Sequence, residues 1–162
     1  MTNRKMDTDT HVFFYEQEFY PLSNFSAFSI LWKGIRFDTS EVAYQWEKFR
    51  DHPAAQLRIQ QAPSSYIAFQ IAQVSKHLAR PDWDTVRVDI MERILWAKVE
   101  QHEYVRRKLL ETGNRILVED SWRDSFWGWG ENRQGRNELG NLWMKIRTKM
   151  RETTDKLAIG SQ

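Results

Sequence analysis

The chain has 162 residues, 41% hydrophobic and 14% aromatic, enough for one buried core and too apolar for intrinsic disorder. Its 24 Lys and Arg against 22 Asp and Glu leave a net charge of only +2, which excludes a global field drawing the protein to nucleic acid or an anionic membrane. With no cysteine there is no disulfide, no zinc–cysteine site and no thiol nucleophile.

Residues 1–10, MTNRKMDTDT, lack the apolar core of a signal peptide and read as a flexible tail. No apolar run of ~18 residues occurs, so the expectation is a cytoplasmic protein with no membrane partner. VFFYEQEFYPLSNF opens with an apolar run suited to a strand, and FSILWKGIRFDT reads as two short strands joined at Lys33-Gly34. Ser40 is placed to cap a helix running from Glu41 to about Arg50, Pro53 to open another through Leu57 and Ile59, and Ser64 to start a third. RPDW (Arg80 to Trp83) looks like the start of the longest helix, with Asp82 or Asp84 as cap. Val88, Met91, Leu95 and Val99, with Ile90 and Ile94, form its apolar stripe. HEYVRRKLLETGN continues helical until Gly113 or Asn114, RILVED is a strand, and Leu139, Leu142, Trp143, Ile146 and Met150 give the last helix a packing face. Residues 11–152 make the domain proper and 153–162 a second flexible tail. Helices outnumber strands without βαβα alternation, so the fold class is α+β: a mostly helical single domain with a few short strands.

Two segments carry chemistry. In SEVAYQWEKF (40–49), Glu41, Tyr44, Gln45 and Lys48 share one helical face. Tyr44, Trp46 and Phe49 spread around the helix, which implies burial on more than one side. Glu41, in the first turn, is favoured in its ionised form by the helix dipole. Lys48 fits a phosphate contact, a structural ion pair, or an amine nucleophile if burial lowers its pKa. In DSFWGWGENRQGRNELGNLWMKIR (124–147), a carboxylate, glycines, tryptophans, arginines and amides read as a ligand-binding loop; the structural alternative is a glycine-rich turn closing through Trp127 and Trp129. RPDW offers Arg80 for a phosphate and Trp83 for stacking, or simply a helix start. P-loop, dinucleotide, EF-hand and Ser-His-Asp patterns are absent, and His11, His52, His77 and His102 lack metal-ligand spacing, so no metal or cofactor is expected.

PLSNF, SEVAYQWEKF, RPDW and DSFWGWG…GRNELGNLWMKIR, in this order from about Phe14 to Arg147, closely resemble the YbiA-like or NADAR (NAD and ADP-ribose) superfamily. The resemblance implies an N-glycosidase acting on phosphoribosylamino-pyrimidine intermediates of riboflavin synthesis or on ADP-ribosylated guanine. Its partners would be a small ribosyl-phosphate or ADP-ribosyl substrate, with ADP-ribosylated nucleic acid as a further possibility. A non-catalytic ADP-ribose-binding module is the alternative. By motif, Glu41, Lys48, Trp83 and Asp124 are implied as catalytic. Asn24, Tyr44, Gln45, Arg80, Trp127, Arg133, Arg136 and Asn137 are the candidate substrate contacts. The loop WGWGENRQGRN departs from the family's usual GDGxDGxGxN-like pattern at Trp129, Glu131 and Asn132, which bears on substrate choice. Breaking a ribosyl C1′–N bond needs an anion beside C1′ and a proton for the leaving nitrogen. Glu41 suits the first role. Asp124, whose pKa the bulk of Phe126 and Trp127 is expected to raise, suits the second, and the two assignments are interchangeable.

Overall fold

The computed structural model describes residues 5–161; part of each expected tail, residues 1–4 and Gln162, lies outside them. In chain order the elements are β1 (His11–Phe14), β2 (Ile30–Trp32), β3 (Ile35–Phe37), α1 (Ser40–Lys48), α2 (Pro53–Gln60), α3 (Ser65–Val74), α4 (Trp83–Gln101), α5 (Glu103–Glu111), β4 (Ile116–Glu119) and α6 (Glu138–Ile159), with short 3-10 turns at Tyr20–Leu22 and Lys76–Leu78. The class is α+β, as the sequence predicts. Contacts group the chain into two compact units, one comprising the residues up to Ser23 with those from Arg106 onward, the other Asn24–Val105.

In the first unit β1 and β4 pair in parallel, from His11 opposite Ile116 to Phe14 opposite Glu119, and α6 packs on β4. All five residues expected on the packing face of α6 are buried. Trp143 donates its indole N–H to the Leu22 carbonyl at 2.8 Å, which satisfies a buried donor. Arg147 is also buried and donates from Nη1 to Thr112 Oγ1 and the Arg115 carbonyl. Gly140 explains how closely helix and strand approach: a Cβ there would lie 2.1 Å from the Leu117 carbonyl oxygen. α6 continues through the segment expected as a tail, its exposed last turns ending at Ile159.

In the second unit β2 and β3 form the expected hairpin, and both turn residues, Lys33 and Gly34, take positive φ (50° and 80°) as a tight two-residue connection requires. α1 packs against α2, α3 and α4. Val42, Ala43, Phe49, Ile59, Ala68, Ala72, Ile90, Met91, Ile94 and Leu95 supply its apolar core. Ser64 caps α3 as expected, accepting from the Ile67 N–H. Two expected caps differ. Thr39, not Ser40, caps α1, accepting from Val42 N–H at 3.3 Å, because the Ser40 hydroxyl is turned to Asn24. Asp82 occupies the cap position of α4, but its carboxylate is taken by Arg80.

α4 also buries Lys98 completely, its Nζ donating to Ser26 Oγ at 2.8 Å. Burial lowers its pKa from 10.5 to about 7.

Two stability predictions follow from these packings. Gly140→Ala forces helix and strand apart and should cost at least ~2 kcal/mol in chemical denaturation. From pH 7 to 10.5 the unfolded chain holds the Lys98 proton and the native chain releases it, so raising the pH stabilises the fold. Lys98→Met should therefore raise stability below pH 7, by an amount on the order of 4 kcal/mol, and flatten the rise of the unfolding free energy between pH 7 and 10.

Candidate active site

The second unit brings together most of the residues marked on SEVAYQWEKF and RPDW. Asn24 fixes the start of α1: its carbonyl accepts the Glu41 N–H at 3.1 Å, and its side-chain oxygen accepts from Ser40 Oγ at 3.0 Å. Its amide nitrogen faces Met91 Sδ at 3.6 Å. Asn24 is thus engaged in holding Glu41's helix rather than turned to a ligand. At the other end of α1 the Lys48 carbonyl accepts the Arg80 N–H at 2.9 Å, and the Arg80 carbonyl accepts the Trp83 N–H at 3.1 Å. This chain of backbone bonds sets Trp83 beside α1, its ring 4.9 Å from that of Tyr44.

Glu41, Tyr44, Gln45 and Trp83 are all at most 7% exposed. Helical spacing alone could not show that carboxylate and amide are buried; the spread of Tyr44, Trp46 and Phe49 around the helix was the signal. Gln45 Nε2 donates to Glu41 Oε1 at 2.8 Å. Lys48 is half-buried, its Nζ 6.0 Å from the Phe49 ring centroid. Desolvation lowers its pKa, helped by Arg87 and Lys76 and opposed by Asp84 and Glu41. The sequence reading took Asp84 only as a candidate cap and passed over Arg87, although Arg87 lies one helical turn after Trp83 and so shares its face.

Arg80 is buried and forms a bidentate pair with Asp82 at 2.6 and 2.7 Å, which holds Arg80 charged and Asp82 below the usual carboxylate range. Its fork is occupied by Asp82.

Asp124 and the glycine loop belong to the first unit. Asp124 Oδ1 accepts the N–H groups of Phe126 (2.8 Å) and Trp127 (2.7 Å), and those two rings meet edge to face at 4.9 Å. The loop is laced by its own backbone, with Gly135 N donating to the Trp129 carbonyl, Arg136 N to Ser125 and Leu139 N to Trp127. A Cβ on Gly135 would sit 2.7 Å from the Ser125 carbonyl oxygen, so that glycine serves internal packing. Asn137 departs from expectation: Oδ1 accepts the Glu119 N–H and Nδ2 donates to the Leu117 carbonyl, bracing β4 rather than facing a substrate. Arg136 pairs with Glu138 at 2.7 Å and lies over the Phe126 ring, and Arg133 lies over Trp129. A polar cavity of about 410 Å³ in the loop is lined by Trp122, Arg123, Ser125, Gly130, Glu131 and Asn132, none of them marked as a contact by the sequence. Among the described residues no group of His, Asp and Glu is arranged to hold a metal ion, and no helix is long and apolar enough to cross a membrane.

The NADAR domain family matches residues 13–151. The chain belongs to the NADAR family. It is 34% identical to N-glycosidase YbiA of Shigella boydii over 88% of this chain and 89% of that protein. It is 35% identical to riboflavin biosynthesis protein VVA0006 of Vibrio vulnificus over 87% of this chain and 39% of that longer protein. The NMR structure of the Escherichia coli protein YbiA superposes with a TM-score of 0.81 at 32% identity, covering 96% of this chain and 92% of that one.

The charges around Lys48 make its amine a sensitive reporter of this face of α1. Competitive labelling with an amine-reactive anhydride, read by mass spectrometry against pH, should give Lys48 a titration midpoint below 10.5. Arg87→Ala should raise that midpoint and Asp84→Asn lower it further.

Proposed function

We propose that this hydrolase of N-glycosyl bonds cleaves the ribosyl C1′–N bond of a phosphoribosylamino-pyrimidine, with Lys48 as its nucleophile. The observation that carries the reading is the half-buried Lys48 amine, its pKa lowered, on one helical face with the buried Glu41 carboxylate and beside the Tyr44–Trp83 aromatic pair. A relative named for riboflavin biosynthesis favours the pyrimidine over ADP-ribosylated guanine.

In such a substrate the sugar hangs on an exocyclic amine, so the ring can open: the C1′–O4′ bond breaks, O4′ takes a proton and C1′ becomes an imine carbon. The neutral Lys48 amine adds to C1′, the base leaves with a proton on its nitrogen, and the sugar remains as a Schiff base on Nζ. Water then adds to C1′, and collapse of the carbinolamine releases the ribose 5-phosphate aldehyde and restores the amine. Glu41, ionised in the first turn of α1, stabilises the cationic iminium at each stage. Trp83 and Tyr44 form the wall against which the pyrimidine stacks and keep bulk water from the imine. By the family motif Asp124 is proposed for proton transfer, and Asp124→Asn tests it separately.

Release of free base from 5-amino-6-ribosylaminouracil 5′-phosphate, followed by chromatography, should exceed that from ADP-ribosylated guanosine; the reverse order would assign the guanine substrate. Binding of ADP-ribose in a thermal-shift assay with no base released from either would identify a binding module. Sodium borohydride added during turnover should trap the sugar on the Lys48 peptide. Lys48→Ala should lose at least ~100-fold in kcat. An untrapped but fully active enzyme would refute the lysine route.

A further inference from the structure

Gln45 is 4% exposed, and its side-chain oxygen Oε1 is fully buried yet meets no hydrogen-bond donor among the described residues. A buried acceptor without a donor destabilises a fold and calls for an explanation. Rotating the amide by half a turn would present Oε1 to Glu41 Oε1, the atom Nε2 now reaches at 2.8 Å, and would oppose two acceptors. The observed orientation is therefore the one an ionised Glu41 enforces. The spacing fits this role, since Gln45 lies one turn after Glu41 on α1.

We infer that Gln45 is a positioning residue for Glu41: its amide nitrogen aims the carboxylate and holds it ionised, while its own oxygen is left without a donor. This replaces the expectation that Gln45 contacts substrate, because an oxygen sealed from solvent cannot reach one. The inference rests on the proposed role of Glu41 as the anion beside C1′.

Other charged groups also face this side of α1. Lys48 on α1 itself, Arg87 and Asp84 of α4 and Lys76 after α3 share one field, and Lys48 feels Glu41 directly. Glu47 of α1 is turned to Lys33 at the β2–β3 turn and to the Trp32 indole. Arg58 of α2 is directed to Ser75. Among these groups Gln45 is a neutral donor, one helical turn from Glu41 and bonded to its Oε1.

The test compares pH profiles of kcat/KM and thermal melts for wild type, Gln45→Met, Gln45→Glu and Glu41→Gln. In Gln45→Met the carboxylate loses the Gln45 donor, so the acid limb should move up by ~1 pH unit and kcat should fall about tenfold with KM little changed. The melting temperature should hold or rise, since the orphaned oxygen is gone. Gln45→Glu keeps the shape and sets a second carboxylate against Glu41, so its acid limb should also move upward; it carries the test if Gln45→Met does not fold. An inactive Glu41→Gln together with an unshifted acid limb in the Gln45 variants overturns this inference alone, as does a loss confined to KM, which would make Gln45 a substrate contact. Wild-type turnover in Glu41→Gln overturns the proposed role of Glu41 and this inference with it.

Discussion

The second unit is organised by one constraint: α1 carries polar side chains into a buried position, and each needs a partner there. Glu41, Gln45 and Glu47 are buried on a helix packed by three others. Removing such groups from water costs several kcal/mol unless hydrogen bonds replace the lost hydration. For Glu47 the surrounding elements provide them. Glu47 accepts from the Trp32 indole and pairs with Lys33, both at 2.7 Å, which makes the β2–β3 hairpin a cover for this carboxylate. Asn24 binds the start of α1 with its carbonyl and its amide oxygen, and the Arg80 N–H closes on the other end. Asn24 of PLSNF and Arg80 of RPDW are therefore the two clamps of one helix.

Where burial of an apolar stripe decides the structure, the sequence was legible. The stripe of α4, the packing face of α6, the Lys33-Gly34 turn and the starts of α2 and α3 all follow from periodicity and turn chemistry. Where two polar groups compete for one partner, it was not. Ser40 and Thr39 are both good caps, and only the position of Asn24 decides that Ser40 is diverted. Asp82 stands at the right place to cap α4, yet a fork of two N–H donors from Arg80 binds it more strongly than helix amides would. Lys98, in the middle of an apolar stripe, gave no sign of its burial against Ser26, since lysine normally carries its charge to the surface.

The glycine loop teaches a different lesson. Its composition suggested close approach of a ligand, but the backbone of Gly135 is brought against Ser125, and Asn137 is drawn into bracing β4. Glycine and asparagine are the residue types both purposes require, so composition alone cannot separate them. Around its polar cavity the loop holds Trp122, Arg123, Glu131 and Asn132 open to solvent, and Arg133 and Arg136 are exposed as well.

The placement of Glu41 and Lys48 at opposite ends of a short helix sets two effects against each other. The helix dipole favours an anion at the first turn and a cation at the last, so both residues are offered their charged forms. For Glu41 the Gln45 amide acts in the same direction. For Lys48 the dipole and the attraction of Glu41 and Asp84 favour the ammonium, but burial beside Arg87 prevails, and its pKa falls below the usual lysine value. A nucleophilic amine needs that outcome, because only the neutral form carries a lone pair to attack an imine carbon. An exposed lysine at the same helical position would gain from the dipole and lack this downward push. It is the half-burial of Lys48, with Arg87 as its cationic neighbour, that turns an ordinary C-terminal helix lysine into a candidate nucleophile.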